Sequence, residues 1–156
     1  MVKICRYIGV FLFLLMGNQL VGQYYNITFR NHSSYSGLTQ SEIESIYEDS
    51  RGFLWIGTHF GLSRYDGREF RNFYHHVDDP STLGDNIINA IDEDSEGNLW
   101  MALYNIGFCK MNPLNSRFTN YRSAGPGTLI NEKVEALIVD RKNRVWLGTE
   151  EGISIF

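Results

Sequence analysis

The chain has 156 residues, of which 43% are hydrophobic and 21% are charged, and its formal net charge is −4. This composition excludes an intrinsically disordered chain and is typical of one ordinary globular domain. The negative charge, without a long basic stretch, argues against nucleic-acid binding. The two cysteines, Cys5 and Cys109, have neither the spacing of a disulfide framework nor that of a metal site.

The segment 1–22 predicts a secretory signal peptide. Lys3 and Arg6 precede an apolar run at residues 8–17, and the small residue Gly22 follows a short polar stretch. This order of positive, apolar and small residues is typical of exported proteins. The run is shorter than the roughly 20 residues of a membrane-spanning helix. We therefore expect cleavage near Gly22, with an uncleaved amphipathic or anchor helix as the alternative.

The segment 23–37 predicts a strand that lies ahead of the rest of the fold. Residues 24–30 are rich in aromatic and β-branched side chains, which favour strands. Phe29-Arg30-Asn31 is also the same tripeptide as Phe70-Arg71-Asn72. We therefore expect this segment to resemble the strand that contains Phe70.

The remainder of the chain repeats one pattern three times. Trp55, Trp100 and Trp146 lie 45 and 46 residues apart, and an aspartate stands six residues before each of them. Self-similarity at such a period indicates a repeat architecture. The other matched columns are Leu38, Leu83 and Leu129; Ile43, Ile88 and Val134; Ile46, Ile91 and Leu137; Ser45, Ala90 and Ala136; and Gly61, Gly107 and Gly152.

Each copy predicts short strands that are joined by tight turns. An Asp-x-x-Gly turn at residues 49–52 recurs at residues 94–97, and Asn143 replaces the glycine in the third copy. Glycine and asparagine both tolerate positive φ, so the substitution supports a turn. In the next segment, residues 53–58, both the odd-numbered and the even-numbered positions are largely apolar. This predicts a strand that is buried on both faces. Residues 61–67 and 68–74 predict a third and a fourth strand.

Four short strands in roughly 45 residues are typical of a β-propeller blade. We therefore predict an all-β fold of four-stranded antiparallel blades in an incomplete array of about two and a half blades. Residues 41–74 and 86–122 should stack face to face. The predicted divisions are the signal peptide at 1–22, a ring-closing strand at 23–37, blade 1 at 38–82, blade 2 at 83–128 and the start of blade 3 at 129–156. Because known propellers close with four to eight blades, we expect a fragment that self-associates when expressed alone.

The first copy resembles the two-component regulator propeller repeat, and the resemblance extends over residues 38–156. The second copy departs from the pattern at Met101-Ala102-Leu103, and the third ends at Phe156 within its third strand. The matching residues of the first copy are Ile43, Ile46, Asp49, Gly52, Leu54, Trp55, Ile56, Gly57, Thr58, Gly61, Leu62, Tyr65, Asp66 and Gly67.

This resemblance implies a sensor segment without enzyme activity of its own. Such repeats form the periplasmic half of hybrid two-component receptors in Bacteroidota, which signal to a histidine kinase and usually bind oligosaccharides. The implied location is the periplasmic side of the inner membrane. The implied partners are an oligosaccharide, further blades of the same polypeptide and a second copy in a homodimer. No cofactor is implied.

The loops after the second strand of each copy are the candidate ligand site. They fall at equivalent positions and should gather at one rim, yet their residues differ between copies, as a site that is built once requires. Aromatic and amide side chains suit sugars, whereas ordinary solvated loop tips are the alternative interpretation. The candidate residues are His59, Phe60, Tyr104, Asn105, Glu150 and Glu151.

Metal sites are disfavoured by their spacing. Residues 92–97 begin like an EF-hand loop, but Leu103 stands where the bidentate glutamate belongs. Adjacent His75 and His76 would point to opposite sides of an extended segment, and His59 lacks a helical i+4 partner. We therefore predict no metal ligands.

Catalytic residues are not predicted either. The aspartates and tryptophans recur in every copy, which is typical of structural positions. Two other function classes stay open, namely a propeller enzyme that acts on glycans, such as a lyase or glycosidase, and a protein-interaction propeller.

Overall fold

A computed structural model describes residues 27–123 and 128–156 of the chain. The chain divides into two units, Met1–Asn31 and His32–Phe156. The predicted signal peptide lies outside the described residues. Within those residues, no helix has the length and apolar character needed to cross a membrane.

The strand predicted at residues 23–37 is not formed in its described part. Residues 27–31 contain neither helix nor strand, and in the second unit Ser34–Ser36 form one turn of 3-10 helix that ends at Gly37 with φ 108°. A strand requires a hydrogen-bonding partner, and the partner expected for this segment is the last blade of a ring. Its ring-closing role therefore stays a prediction.

Residues His32–Phe156 form three antiparallel sheets, and the strand order within each sheet follows the chain. The prediction of an all-β fold of antiparallel propeller blades is confirmed, with four strands in blades 1 and 2 and three strands in blade 3. The strands are β1 (Ile43–Glu48), β2 (Leu54–Thr58), β3 (Gly61–Tyr65), β4 (Phe70–Phe73), β5 (Ile88–Glu93), β6 (Leu99–Leu103), β7 (Gly107–Asn112), β8 (Arg117–Tyr121), β9 (Val134–Val139), β10 (Val145–Thr149) and β11 (Gly152–Ile155).

The predicted stacking of blade 1 on blade 2 is present, because apolar side chains of facing sheets form one buried cluster. Trp55 and Leu62 of blade 1 are both fully buried, and they belong to the same cluster as Ile88, Leu99 and Met101 of blade 2. Each such side chain contributes roughly 1.5–3 kcal/mol by leaving water. A second cluster joins blade 2 to blade 3; its members include Trp100, Phe108, Val134, Leu137 and Leu147.

The small-residue column lies where the first strands of neighbouring blades approach each other. Ser45 is paired with Gly57 across the β1–β2 ladder. A Cβ atom on Gly57 would lie 2.8 Å from the carbonyl oxygen of Ile88 in blade 2. Real Cβ atoms do not approach a backbone oxygen so closely, so glycine is required here by packing. This contact accounts for the glycine after Trp55 and Ile56.

Candidate functional site

The turns between the first two strands of each blade hold the repeated aspartates. In blade 1, the backbone N–H groups of Arg51 and Phe53 donate to Asp49 Oδ1, and the indole Nε1 of Trp55 donates to Asp49 Oδ2 over 2.9 Å. Gly52, which has φ 84°, closes the turn by donating to the Asp49 carbonyl. The predicted turn is thus confirmed. The hydrogen bond between the indole and the carboxylate explains why the tryptophan stands six residues after the aspartate. We call this arrangement the Asp–Trp clamp.

The same clamp recurs in the other two blades. Trp100 Nε1 donates to Asp94 Oδ2 over 3.0 Å, and Trp146 Nε1 donates to Asp140 Oδ2 over the same distance. In the third turn Asn143 has φ 59°, which is the left-handed conformation that its substitution for glycine predicted. The clamp carboxylates are therefore structural acceptors in every blade.

Burial and hydrogen bonding act in opposite directions on the clamp carboxylates. Burial alone would raise the pKa of Asp49, but the donors Trp55, Phe53 and Arg51 stabilise its charged form and leave the pKa below the ordinary value. The pKa of Asp94 is lowered in the same way, with burial again opposing the hydrogen bonds. A carboxylate held charged by several donors is poorly suited to be a general acid or base near neutral pH.

In residues 92–97, which begin like an EF-hand loop, the carboxylates of Asp92 and Asp94 bind other groups of the protein. Asp92 Oδ2 accepts the backbone N–H of Val139 over 2.7 Å, and Asp94 belongs to the clamp. Tyr47 of blade 1 also hydrogen-bonds Asp92; desolvation and then this carboxylate raise the pKa of Tyr47 to about 12. Asp92 therefore joins blade 2 to both of its neighbours, blades 1 and 3.

The candidate ligand residues lie at the opposite end of the blades from the clamps. We call this end the linker face, because the segments that enter the next blade also lie there. Gly61 N donates to Asn86 O over 2.8 Å, and the equivalent Gly107 N donates to Glu132 O over 2.7 Å. In blades 1 and 2, the loop after the second strand is thus fastened to the linker that leads into the next blade.

Strand pairing places three side chains together in each blade at the linker face. One precedes the first strand, one is the second residue of that strand, and one begins the loop after the second strand. In blade 1, Ile43 pairs with Thr58, so His59 lies beside the residues on either side of Ile43. We call these sets the rim triplets. They are Glu42, Glu44 and His59 in blade 1; Ile87, Asn89 and Tyr104 in blade 2; and Lys133, Glu135 and Glu150 in blade 3.

The blade 1 triplet is an imidazole between two carboxylates. His59 Nε2 lies 2.8 Å from Glu44 Oε1, and His59 Nδ1 lies 3.7 Å from Glu42 Oε2. The next residue, Phe60, has 59% of its surface exposed. This part of the rim therefore offers both charged and flat apolar surface to solvent.

Lys133 connects the triplets of blades 2 and 3. Its Nζ atom donates to Glu150 Oε1, lies 3.6 Å from Glu135 Oε1 and lies 4.9 Å from the ring centroid of Tyr104. The hydrogen bond to Glu150, followed by the interaction with Tyr104, raises the pKa of Lys133. Glu151 Oε1 accepts a hydrogen bond from Asn131 Nδ2 over 3.0 Å. The loops of blades 2 and 3 therefore form one continuous polar surface.

Three segments of the chain, residues 37–60, 82–105 and 128–151, match the sequence model of the two component regulator propeller family. The chain belongs to this family. Each matched segment contains the clamp aspartate, the tryptophan and the whole rim triplet of its blade.

Individual proteins are similar to this chain over part of their length. Histidine kinase P4 from Formosa agariphila is 35% identical over 81 residues, which are 50% of this chain and 6% of that protein. A solved extracellular domain, assigned to a hybrid two component system of B. thetaiotaomicron, has a TM-score of 0.50 and 19% identity over 81% of this chain and 25% of that domain. Virginiamycin B lyase from Staphylococcus aureus has a TM-score of 0.52 and 16% identity over 73% of this chain and 40% of the lyase. The structural likenesses establish the propeller fold, and the chain spans at most 40% of the length of these three proteins.

The structure of this two component regulator propeller groups the predicted site residues in two sets. Tyr104 and Glu150 meet through Lys133, whereas His59 and Phe60 remain with blade 1; Asn105 is exposed. Clefts of about 450 and 520 Å³ lie elsewhere, the first lined by Phe108, Tyr121, Leu129, Leu147 and Phe156 among others, and the second along residues 75–84 and β8.

Four rim residues were not among the predicted site residues, namely Glu42, Glu44, Lys133 and Glu135. The signal that identifies them is the antiparallel pairing of the first two strands, which brings the start of one strand beside the end of the other. Applying that pairing to the repeat alignment places each of these residues next to a predicted loop.

Proposed function

We propose that this chain is the exported ligand-binding segment of a two component receptor, and that its ligand is an oligosaccharide. Family membership supports a role in sensing, and the likeness to histidine kinase P4 supports a kinase elsewhere in the whole protein. The signal peptide predicted at residues 1–22 supports export to the periplasmic side of the inner membrane. The remaining blades and the homodimeric arrangement belong to the full receptor in this proposal.

The observation that carries the proposal is the concentration of blade-specific side chains on the linker face. The Asp–Trp clamp is the same in all three blades, whereas each rim triplet is different. Phe60 and Tyr104 offer ring faces that suit the apolar faces of sugars, and Asn105 offers an exposed amide. The neighbouring carboxylates supply hydrogen-bond acceptors for sugar hydroxyl groups.

Binding without catalysis is the role that this surface supports. Glycoside hydrolysis needs a pair of carboxylates that face one bond of the substrate. On the linker face, Glu150 is engaged by Lys133 and Glu44 is engaged by His59. The clamp aspartates lie at the other end of the blades and accept indole and backbone donors.

The proposal is tested by titrating the chain with a panel of glycan-derived oligosaccharides in a calorimeter. We expect saturable binding by at least one of them, and we expect Phe60→Ala and Tyr104→Ala to weaken it. Tyr35→Ala is the matched control, because Tyr35 is a fully exposed aromatic residue outside the linker face. Equal affinity in all three variants, or turnover of a bound sugar that depends on one carboxylate, would contradict the proposal.

A further inference from the structure

The rim triplet of blade 1 contains a set of side chains that is suited to a metal ion. We propose that Glu42, Glu44 and His59 bind one divalent transition-metal ion of the Zn²⁺ class at the linker face. This inference is independent of the proposed oligosaccharide. It also reverses the expectation from sequence that these residues hold no metal.

Strand geometry brings the three side chains together. Glu42 and Glu44 lie on either side of Ile43, where the β1–β2 ladder shifts register between Ile43 and Ser45, and both carboxylates contact the His59 ring. His59 follows Thr58, which pairs with the intervening Ile43. One ligand atom from each side chain can be chosen so that all three atoms lie within 4.8 Å of one another.

Coordination of one ion requires exposed side chains to rotate, because Glu44 and Glu42 contact opposite ring nitrogens of His59. Ligands at the usual Zn–N and Zn–O distances are roughly 3.4 Å apart around a tetrahedral ion. Glu44 is already 2.8 Å from the His59 ring, and the side chain of Glu42 is 62% exposed and free of packing on most of its surface. The ion can therefore enter directly from solvent.

The negative charge of the two carboxylates in the blade 1 triplet favours a bound cation. Within residues 27–123 and 128–156, the basic side chain that contacts Glu42 and Glu44 is His59, which offsets their charge only when it is protonated. A neutral imidazole and two carboxylates carry a net charge of −2, which one divalent ion balances. Imidazole favours Zn²⁺ and related ions, whereas Mg²⁺ and Ca²⁺ prefer oxygen ligands alone.

Blade 3 provides an internal comparison, because its triplet already contains a cation. There Lys133 Nζ lies between the carboxylates of Glu135 and Glu150. Blade 1 has Glu42 at the position of Lys133, and so it replaces that ammonium group with a third potential ligand. This place in the fold is thus occupied by the ammonium group of Lys133 in blade 3, and by the bound ion in blade 1.

The test is equilibrium dialysis of the untagged 156-residue chain against Zn²⁺, followed by metal analysis. We expect one equivalent to be retained in the presence of excess Mg²⁺. His59→Asn and Glu44→Gln should each weaken binding at least about tenfold, since loss of supporting residues alone costs that much at metal sites. Glu135→Gln and His76→Asn are matched controls and should bind as the unaltered chain does, because Glu135 is the blade 3 equivalent of Glu44 and His76 is an exposed histidine in a linker.

A second readout keeps the result independent of folding defects. Co²⁺ bound by imidazole and carboxylates has visible absorption bands whose intensity reports the coordination. We expect these bands in the unaltered chain and in Glu135→Gln, and we expect their loss in His59→Asn, with circular dichroism unchanged. Failure to retain Zn²⁺, or retention that His59→Asn and Glu44→Gln leave intact, would overturn the proposal and leave the triplet as an ion pair only.

Discussion

Trp55 Nε1 donates to the carboxylate of Asp49 over 2.9 Å at the end of blade 1 that is opposite the candidate ligand site. This hydrogen bond ties a fully buried indole to a carboxylate that also orders the preceding turn. A buried indole N–H needs an acceptor, and a buried carboxylate needs donors, so each group meets the requirement of the other. The clamp therefore couples turn formation to the packing of neighbouring blades.

Replacement of Trp100 by alanine should destabilise the fold more than replacement of Trp146. Trp100 is 5% exposed and lies between blades 2 and 3, whereas Trp146 is only partly buried. We expect Trp100→Ala to lower the free energy of unfolding by about 3–5 kcal/mol, because it leaves a cavity in a packed interface. Chemical denaturation measures the difference, and a loss under about 1 kcal/mol would contradict the stacking of these blades.

Acid should destabilise the fold through the clamps. The pKa values of Asp49 and Asp94 are lowered from their ordinary value of 3.8 by hydrogen bonds that exist only in the folded state. A lowered folded-state pKa contributes stability above the unfolded-state value, and that contribution is lost as the pH falls through the folded-state pKa. We therefore expect the free energy of unfolding to fall from about pH 4 downward.

Denaturation at a series of pH values checks this assignment. Asp94→Asn should be less stable near neutral pH and should show a weaker dependence on acid than the unaltered chain. Asp78→Asn, a change at an exposed linker residue, is the control and should retain the full dependence. An unchanged acid dependence in Asp94→Asn would mean that other carboxylates are responsible.

The sequence predicts the blade architecture well because the same turn and strand positions recur in three copies of the repeat. Asn143 in place of glycine identifies the turn, since both residues tolerate positive φ. The strand predicted at residues 23–37 is absent from residues 27–37, which the structure describes. Its aromatic and β-branched composition favours a strand, but pairing with a distant partner decides whether a strand forms.

The candidate site was predictable only in part, for a similar physical reason. His59, Tyr104 and Glu150 stand out because equivalent loops carry different residues. Their interaction partners, such as Glu44 and Lys133, come from a different strand of the sheet. Search rules based on helical i+4 spacing miss a ligand set that is assembled across an antiparallel ladder.

Replacement of Gly57 by alanine should be costly, whereas the same change at Gly148 should not. A Cβ atom at Gly57 would lie 2.8 Å from the backbone oxygen of Ile88, and the blades would have to separate. At Gly148, the equivalent position of blade 3, the nearest atom would be Ala136 Cβ at 3.4 Å, close to ordinary contact. We expect a loss of about 1–3 kcal/mol for Gly57→Ala from overpacking, and a much smaller change for Gly148→Ala. Equal stabilities of the two variants would show that the blades can adjust to the added methyl group.

The exposed apolar columns at the two ends of the blade array should make the chain self-associate. Ile46 of blade 1 is 67% exposed, while its equivalents Ile91 and Leu137 are 8% and 5% exposed because a preceding blade covers them. At the other end, Ile153 is 69% exposed, while the equivalent Phe108 is 4% exposed beneath blade 3. The two open faces belong to the two sides of one repeated interface, so they are complementary to each other.

Light scattering on the chain at increasing concentration should therefore report species larger than a monomer. A head-to-tail contact of this kind does not close a small ring by itself, and it favours open assemblies. Ile46→Arg and Ile153→Arg should each reduce the association, because a charge placed in an apolar interface has no partner there. Leu114→Arg is the control, since Leu114 is 88% exposed in a turn outside both faces. A monomer with a sharp, cooperative melt would contradict the prediction, and it would mean that the described blades bury enough apolar surface to fold alone.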